Sequence, residues 1–215
     1  MLVRIALTSV NLANPIYVRV VFMSSSLSSK DITYIALFTS LTTVFSIIPP
    51  IPMPLVPVPL TLQTLGVMLA GLVLGPRLAL LSMALYLLIA LVGFPVLPGA
   101  RSGLAVFAGP TGGFLLGFLP GAFVTGWMAK RSAQLAQGER SGAQIFAGNL
   151  TAAILGGALT VYAVGVPWLA VISNIPMSEA VLAVAIFMPG DVIKALIAAF
   201  VATRVAKLMP TAGDR

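Results

Sequence analysis

Long apolar runs, separated by short polar stretches or by stretches rich in proline and glycine, fill most of the chain. Six runs are read as helices, at about residues 32–48, 61–75, 78–93, 113–129, 143–164 and 178–208. A helix needs about 20 apolar residues to cross the hydrocarbon core of a bilayer, and fewer where its flanks reach the interface. The runs are continuously apolar and do not alternate as half-buried strands do. The pattern predicts an all-α, polytopic membrane protein with six transmembrane helices.

The same pattern divides the chain into three parts. Residues 30–208 form the predicted six-helix membrane domain. In residues 1–29 the apolar pattern is interrupted by Asn14, Pro15 and Arg19. Because proline breaks a helix interior, we expect these residues to be an N-terminal extension that is poorly ordered or interfacial. Residues 209–215 are expected to be a cytoplasmic tail.

Composition excludes most other classes of protein. Hydrophobic residues make up 59% of the chain and charged residues 8%, whereas a soluble domain carries roughly 25% charged residues. Soluble domains and disordered chains are therefore excluded. The sequence has no cysteine and no histidine, which removes thiol nucleophiles, Ser-His-Asp triads and the usual zinc ligands. Since there are only five acidic residues, we predict no enzyme, no metal and no cofactor.

The net charge of +7 is arranged as a membrane protein requires. With the N-terminus inside, ten of the 12 basic residues fall in inside segments, Arg101 falls in an outside loop, and Lys194 lies within the last run. An excess of Lys and Arg on the cytoplasmic side is the usual determinant of orientation. We therefore predict a multi-pass protein of the cell membrane with both termini in the cytoplasm. We therefore attribute the positive charge to orientation in the lipid bilayer, and we predict no nucleic-acid partner.

Two ionisable residues lie inside the last apolar run. Asp191 and Lys194 are three residues apart, which places both side chains on one face of a helix. If the helix begins near Glu179, Asp191 lies roughly 18 Å along it, at 1.5 Å per residue. Charges at such depth are costly unless they are paired or face a wet cavity. We expect a binding function; the alternative is that the two charges only neutralise each other.

Several other residues are candidates for a binding site. Arg101, on an outer loop, suits a carboxylate, or it is an exposed loop arginine. Gln63 faces either a ligand or another helix, and Tyr86 and Trp168 either stack on a flat ligand or anchor the interface. Gly112 lies in a glycine-rich run that permits close backbone approach or forms a turn. That run lacks the Lys-Ser/Thr of a P-loop, so we expect no ATP binding.

Ala36 and Ser40 are four residues apart in the first predicted helix. Small residues at this spacing let two helices approach closely. They predict a docking face for a partner membrane protein, with packing inside the chain as the alternative.

With these residues in view, the chain resembles the BioY family of biotin-capture proteins, the substrate-binding (S) components of energy-coupling factor (ECF) transporters. The resemblance covers about residues 30–207. It rests on four spaced motifs in order, at residues 51–66 (ending VPLTLQTLG), 71–77 (GLVLGPR), 93–113 (GFPVLPGARSG through GPTGG) and 189–194 (PGDVIK).

The resemblance implies six helices and an outward-facing biotin pocket, capped by the loops after the first and third helices. It also implies docking to a transmembrane coupling (T) protein that carries two ABC-type ATPase subunits. The family's docking motif usually reads Ala-xxx-Ala, whereas this chain has Ala36 and Ser40. Its Asp-xx-Lys pair matches Asp191 and Lys194, while some relatives carry Asn where this chain has Arg101.

These inferences favour biotin uptake through an S component, energised by partner ATPase subunits. The alternative is a stand-alone, proton-linked secondary transporter of a small carboxylated solute; homo-oligomer formation is left open. If biotin is the ligand, Asp191 accepts from its ureido N–H groups, and Gln63 or backbone N–H groups serve the ureido oxygen. Its carboxylate is taken by Arg101 or Lys194, and apolar walls such as Tyr86 and Trp168 fit the bicycle.

Overall fold

The computed structural model describes residues 27–53, 57–135 and 141–208. The helices within these ranges are α1 (Ser29–Ile47), α2 (Gln63–Leu74), α3 (Pro76–Val92), α4 (Leu104–Ala108), α5 (Gly112–Leu135), α6 (Gly142–Ala152), α7 (Thr160–Ser173), α8 (Met177–Ala185) and α9 (Met188–Leu208), with a π-helix, π1 (Ala153–Leu159), joining α6 to α7. Pairing of extended backbone in the described ranges is limited to two isolated bridges, Ile51 with Leu60 and Leu97 with Arg101. The prediction of an all-α fold is confirmed.

Each of the six predicted runs contains helix. The first four runs correspond to α1, α2, α3 and α5, the fifth to α6, π1 and α7, and the sixth to α8 and α9. The short helix α4 lies in the loop after α3, which the sequence pattern does not predict. Most of the predicted N-terminal extension, residues 1–26, and the whole predicted tail, residues 209–215, lie outside the described residues.

Two described helices are long and apolar enough to cross a membrane, α5 and the continuous span Gly142–Ser173. The pair α8 and α9, bent by 52° at a short break, passes the same test when counted as one span. The helices α2 and α3, with 12 and 17 residues, are apolar but shorter. This pattern is that of a multi-pass membrane protein.

Contacts between Cα atoms divide the chain into two units, residues 1–32 and 33–215. In the first unit, Ser28 and Asp31 cap the start of α1 reciprocally. The Ser28 N–H donates to Asp31 Oδ2 at 2.9 Å, and the Asp31 N–H donates to Ser28 Oγ at 3.2 Å. This capping box satisfies two backbone donors that have no partner within the helix.

In the second unit, α1 is joined to α3 by buried hydroxyl groups. The Thr39 hydroxyl donates to the Ser82 carbonyl at 3.0 Å, and the Ser82 hydroxyl donates to the Ile35 carbonyl at 3.2 Å. Between apolar helices in a membrane, such interhelical hydrogen bonds supply attraction that burial of apolar surface does not.

Glycines bring α2 and π1 close to α5. A Cβ at Gly71 would lie 2.5 Å from Thr125 Cβ, and one at Gly156 would lie 2.3 Å from the Thr125 backbone nitrogen. Any larger residue would therefore push these elements apart. Residues near the starts of α2 and α7, including Thr64 and Tyr162, line one shared space.

The last predicted run is two helices, so the expectation that Asp191 lies deep within one continuous helix is wrong. Glu179 lies in the first turn of α8, and Asp191 lies in the first turn of α9, beyond the 52° bend. Pro189 falls at the start of α9, where a missing N–H breaks no helical bond. The bend places Asp191 at a helix N-terminus, where the macrodipole favours a carboxylate.

Candidate functional site

A cavity of about 630 Å³, counting its open mouth, lies between α2, α5, α7, the start of α9 and the loops after α1 and α3. Its walls are mainly apolar, with side chains that include Leu60, Leu97, Val106, Phe114, Leu115, Phe118, Val161 and Phe187. Its polar lining consists of Thr61, Gln63, Thr64, Arg101, Thr111, Tyr162, Asp191 and Lys194. An apolar cavity with a few convergent polar groups is the usual form of a small-molecule site.

The Asp191–Lys194 pair forms the charged end of this cavity. Lys194 Nζ lies 2.8 Å from Asp191 Oδ1, and the two residues are only 4% and 5% exposed. A buried ion pair repays the cost of desolvation only if further hydrogen bonds satisfy both groups. The pair therefore depends on its neighbours.

Two residues that the sequence analysis missed, Thr64 and Tyr162, supply those hydrogen bonds. The Thr64 hydroxyl donates to Asp191 Oδ1 at 2.8 Å and accepts from Lys194 Nζ at 3.0 Å. The Tyr162 hydroxyl donates to Asp191 Oδ2. The sequence signal was weak: one hydroxyl next to Gln63, and one tyrosine in an apolar run.

This network leaves one acceptor position on Asp191 and one N–H on Lys194 without a partner among the described residues. A carboxylate accepts about four hydrogen bonds, and Thr64, Lys194 and Tyr162 use three of them. Lys194 has three N–H groups, of which Thr64 and Asp191 take two among the described residues. The site thus offers one charge-assisted acceptor beside one charge-assisted donor.

Arg101 lies at the mouth, where it lines the cavity and is otherwise exposed. Its backbone pairs with Leu97, closing a tight loop in which Gly99 and Ala100 have positive φ angles of 74° and 56°. The Arg101 Nε–H donates to the Pro98 carbonyl at 3.0 Å. That contact fixes the guanidinium on its own loop without using the terminal amino groups.

Gln63 lines the cavity, and Tyr86 lies behind it. The Gln63 Nε2–H donates to the Tyr86 hydroxyl at 2.7 Å. Tyr86 is fully buried and is not among the lining residues. Its link to the cavity is the hydrogen bond that it accepts from Gln63.

Trp168 and Gly112 do not line the cavity but contact residues 104–111, the segment called the cover here, of which Val106 and Thr111 line the cavity. The Trp168 indole N–H donates to the Gly109 carbonyl at 2.9 Å. A Cβ at Gly112 would lie 1.8 Å from the Phe107 carbonyl oxygen. Both residues thus fix the segment that carries α4 against α5 and α7.

Ala36 and Ser40 are exposed on α1, whereas Thr39 and Thr42 of the same helix are buried. The Ser40 hydroxyl donates to the Ala36 carbonyl at 2.9 Å, so its hydrogen is satisfied within the helix. Both positions therefore carry small, exposed side chains.

Comparison with known proteins gives the family. The model of the BioY family matches residues 23–211. A biotin transporter BioY of Rhizobium etli is 42% identical over 173 residues, 80% of this chain and 91% of that protein. A biotin transporter BioY of Rhodobacter capsulatus is 37% identical over 192 residues, 85% of this chain and 96% of that protein.

A solved structure agrees with the sequence relatives. The crystal structure of the S-component for biotin from an ECF-type ABC transporter matches with a TM-score of 0.76 and 34% sequence identity, covering 85% of this chain and 95% of that one. The match extends over nearly the whole of that protein. The chain therefore belongs to the BioY family.

Proposed function

We propose that this protein takes up biotin as the substrate-capture (S) component of an ECF-type importer. The observation that carries the proposal is the buried Asp191–Lys194 pair in the lining of an apolar cavity, in a chain of the BioY family. The relatives are named biotin transporters, and the matched structure is a component of an ABC transporter. This context favours a captured vitamin over the alternative of a stand-alone, proton-linked transporter.

The ureido ring of biotin complements the charged pair. A cyclic urea presents an N–H and its carbonyl side by side along one edge. Asp191 supplies the acceptor for that N–H, and Lys194 supplies the donor for the carbonyl. Bonds to charged groups in a dry cavity are the strong ones, so this edge is the polar anchor of the ligand.

The carboxylate tail is assigned to Arg101. Lys194 is buried and already bonded to Asp191 and Thr64, whereas Arg101 is exposed at the mouth. With the ureido ring at the buried ion pair, the flexible tail extends toward the exposed Arg101, and a guanidinium suits a carboxylate there. The apolar walls then cover the bicycle.

ATP use is assigned to partner subunits, because the sequence shows no nucleotide-binding motif. The proposed partners are a transmembrane coupling protein and ABC-type ATPase subunits, with the α1 face at Ala36 and Ser40 as the docking surface. The distribution of basic residues supports cytoplasmic termini and a cavity that opens outward. Light scattering from the same purified protein tests whether copies of the chain also associate.

Calorimetric titration of biotin into the detergent-purified protein tests the function. We expect tight binding, a loss of binding in Asp191→Asn, and weaker binding of biotin amide. Arg101→Ala should weaken binding of biotin roughly tenfold and leave the affinity for biotin amide nearly unchanged, because one charge-assisted bond is removed. A folded wild-type protein that does not bind biotin would refute the proposal.

A further inference from the structure

The side-chain amide of Gln63 is held in one orientation by Tyr86. The Tyr86 hydroxyl oxygen lies 3.2 Å from the Val96 carbonyl oxygen and 3.0 Å from Ser46 Oγ. The Tyr86 hydroxyl has one hydrogen, and both of these contacts have Tyr86 as the donor. We therefore assign that hydrogen to the Val96 carbonyl, which can only accept, or to Ser46, and not to Gln63. A lone pair of Tyr86 then faces Gln63, which must present its Nε2–H, at 2.7 Å. The amide oxygen is therefore the group that Gln63 has left to offer.

That amide oxygen retains capacity for a ligand. It accepts a hydrogen bond from the Thr61 hydroxyl at 3.2 Å, and a carbonyl oxygen has two lone pairs. Gln63 lines the cavity and is 4% exposed. A buried acceptor with an open lone pair gains most from an N–H donor, because leaving it unpaired is costly.

The covalent shape of a cyclic urea requires such an acceptor. Its two N–H groups lie on opposite sides of the carbonyl and point away from each other across the ring. One carboxylate can accept from one of them but not from both. Asp191, beside Lys194, is matched to one N–H and the carbonyl, so the second N–H needs an acceptor elsewhere in the cavity.

Among the described polar residues of the cavity, Gln63 is best placed for this role. Thr64 and Tyr162 are bonded to Asp191 and so lie on the side that the first N–H occupies. Gln63 precedes Thr64, about 100° around the same helix, and an amide oxygen is an acceptor whose orientation Tyr86 has already fixed.

Resting on the proposed function, we infer that Gln63 accepts the second ureido N–H and that Tyr86 is its positioning residue. This reverses the role that the sequence suggested for Gln63, as a donor to the ureido oxygen. It makes Gln63 a specificity-determining residue. If the ring carries oxygen in place of that N–H, the ring oxygen and the Gln63 amide oxygen face each other as two acceptors with no hydrogen between them.

Two cyclic-carbamate analogues of biotin, each with one ring N–H replaced by oxygen, test the inference. Their affinities and that of biotin are measured by calorimetry for the wild type, Gln63→Met and Tyr86→Phe. We expect the wild type to bind biotin at least about tenfold more tightly than either analogue. Both variants should lose this preference against one and the same analogue, to within about threefold, and keep it against the other.

Ser82→Ala is the matched control, since it removes a buried hydroxyl from the same helix as Tyr86 but away from the cavity. It should keep the preference for biotin over both analogues. The inference is overturned if the wild type binds one analogue as tightly as biotin, if both variants keep the wild-type preferences, or if they lose them against both analogues alike. If Gln63→Met does not fold, the wild-type ratios and Tyr86→Phe still decide. Wild-type protein that binds no biotin refutes the proposed function instead.

Discussion

The Thr64 hydroxyl and the Asp191 carboxylate, 127 residues apart in the sequence, are joined by a 2.8 Å hydrogen bond between α2 and α9. Thr64 also accepts from Lys194. One small side chain thus holds both members of the ion pair in place. The charged end of the cavity is therefore shared between two helices and does not belong to α9 alone.

Replacing Thr64 by Val should weaken biotin binding about tenfold, because Asp191 loses a donor and Lys194 loses an acceptor. Calorimetry on the purified variant measures the change. Thr43→Val is the matched control, since the Thr43 hydroxyl donates to the Thr39 carbonyl of its own helix at 3.0 Å. Equal affinities in both variants would show that Thr64 does not organise the pair.

Replacing Lys194 by Met leaves a buried carboxylate without its counter-charge. We expect the free energy of unfolding to fall by about 3–5 kcal/mol, the usual cost of breaking a buried pair. In the double variant Lys194→Met with Asp191→Asn, neither charge remains, so most of the stability should return while biotin binding stays lost.

Thermal unfolding in detergent, with and without biotin, separates these two effects. A double variant no more stable than Lys194→Met would mean that the uncompensated charge is not the cause. A double variant that binds biotin as tightly as the wild type would show that the pair does not contribute to biotin binding.

Gly112→Ala should displace the cover of the cavity. The added Cβ would lie 1.8 Å from the Phe107 carbonyl oxygen, so the backbone must shift. We expect biotin affinity to fall at least about tenfold, since the displaced residues beside α4 would lose their contacts with the ligand. Calorimetric titration measures it.

Gly109→Ala is the control for that substitution. A Cβ at Gly109 would meet its nearest neighbours, backbone oxygens of Ala105 and Val106, at an ordinary 3.5 Å. Wild-type affinity in Gly109→Ala beside weakened binding in Gly112→Ala is the expected contrast. The same affinity in both variants would contradict the close approach at Gly112.

Ala36→Trp should spare biotin binding and impair assembly with a coupling protein. The bulky ring would fill the small-residue face of α1, which is exposed in this structure. Co-purification with the coupling and ATPase subunits measures assembly. Leu88→Trp, at a position that is 54% exposed on α3, is the control; intact assembly in Ala36→Trp would exclude this face of α1 as the docking surface.

Much of the fold could be predicted because the signals are local. Apolar runs define helices whatever their neighbours are, and a charged pair in an apolar run stands out. Gln63, Arg101, Asp191 and Lys194, predicted as site residues, all line the cavity. Their roles toward the ligand remain predictions.

The remaining features depend on packing between distant parts of the chain. No local pattern shows that Thr64 meets Asp191, since that contact requires α2 to lie beside α9. Likewise, Pro189 suits either a kinked helix or a new helix start, so the bend before α9 could not be read from the sequence. Tyr86 and Trp168 were expected as apolar walls, yet both contribute through the residues they hold, Gln63 and the Gly109 carbonyl.

The π-helix between α6 and α7 has a consequence for protein engineering. A π turn holds about one residue more than an α turn, so rewinding this segment as regular α-helix with all its residues kept would rotate everything beyond it by about 100°. Tyr162 would then swing away from Asp191 although no side chain of the cavity had been altered. Substitutions that turn this span into regular α-helix to stiffen the protein would therefore break the Tyr162–Asp191 hydrogen bond from several residues upstream, unless one residue were removed with them.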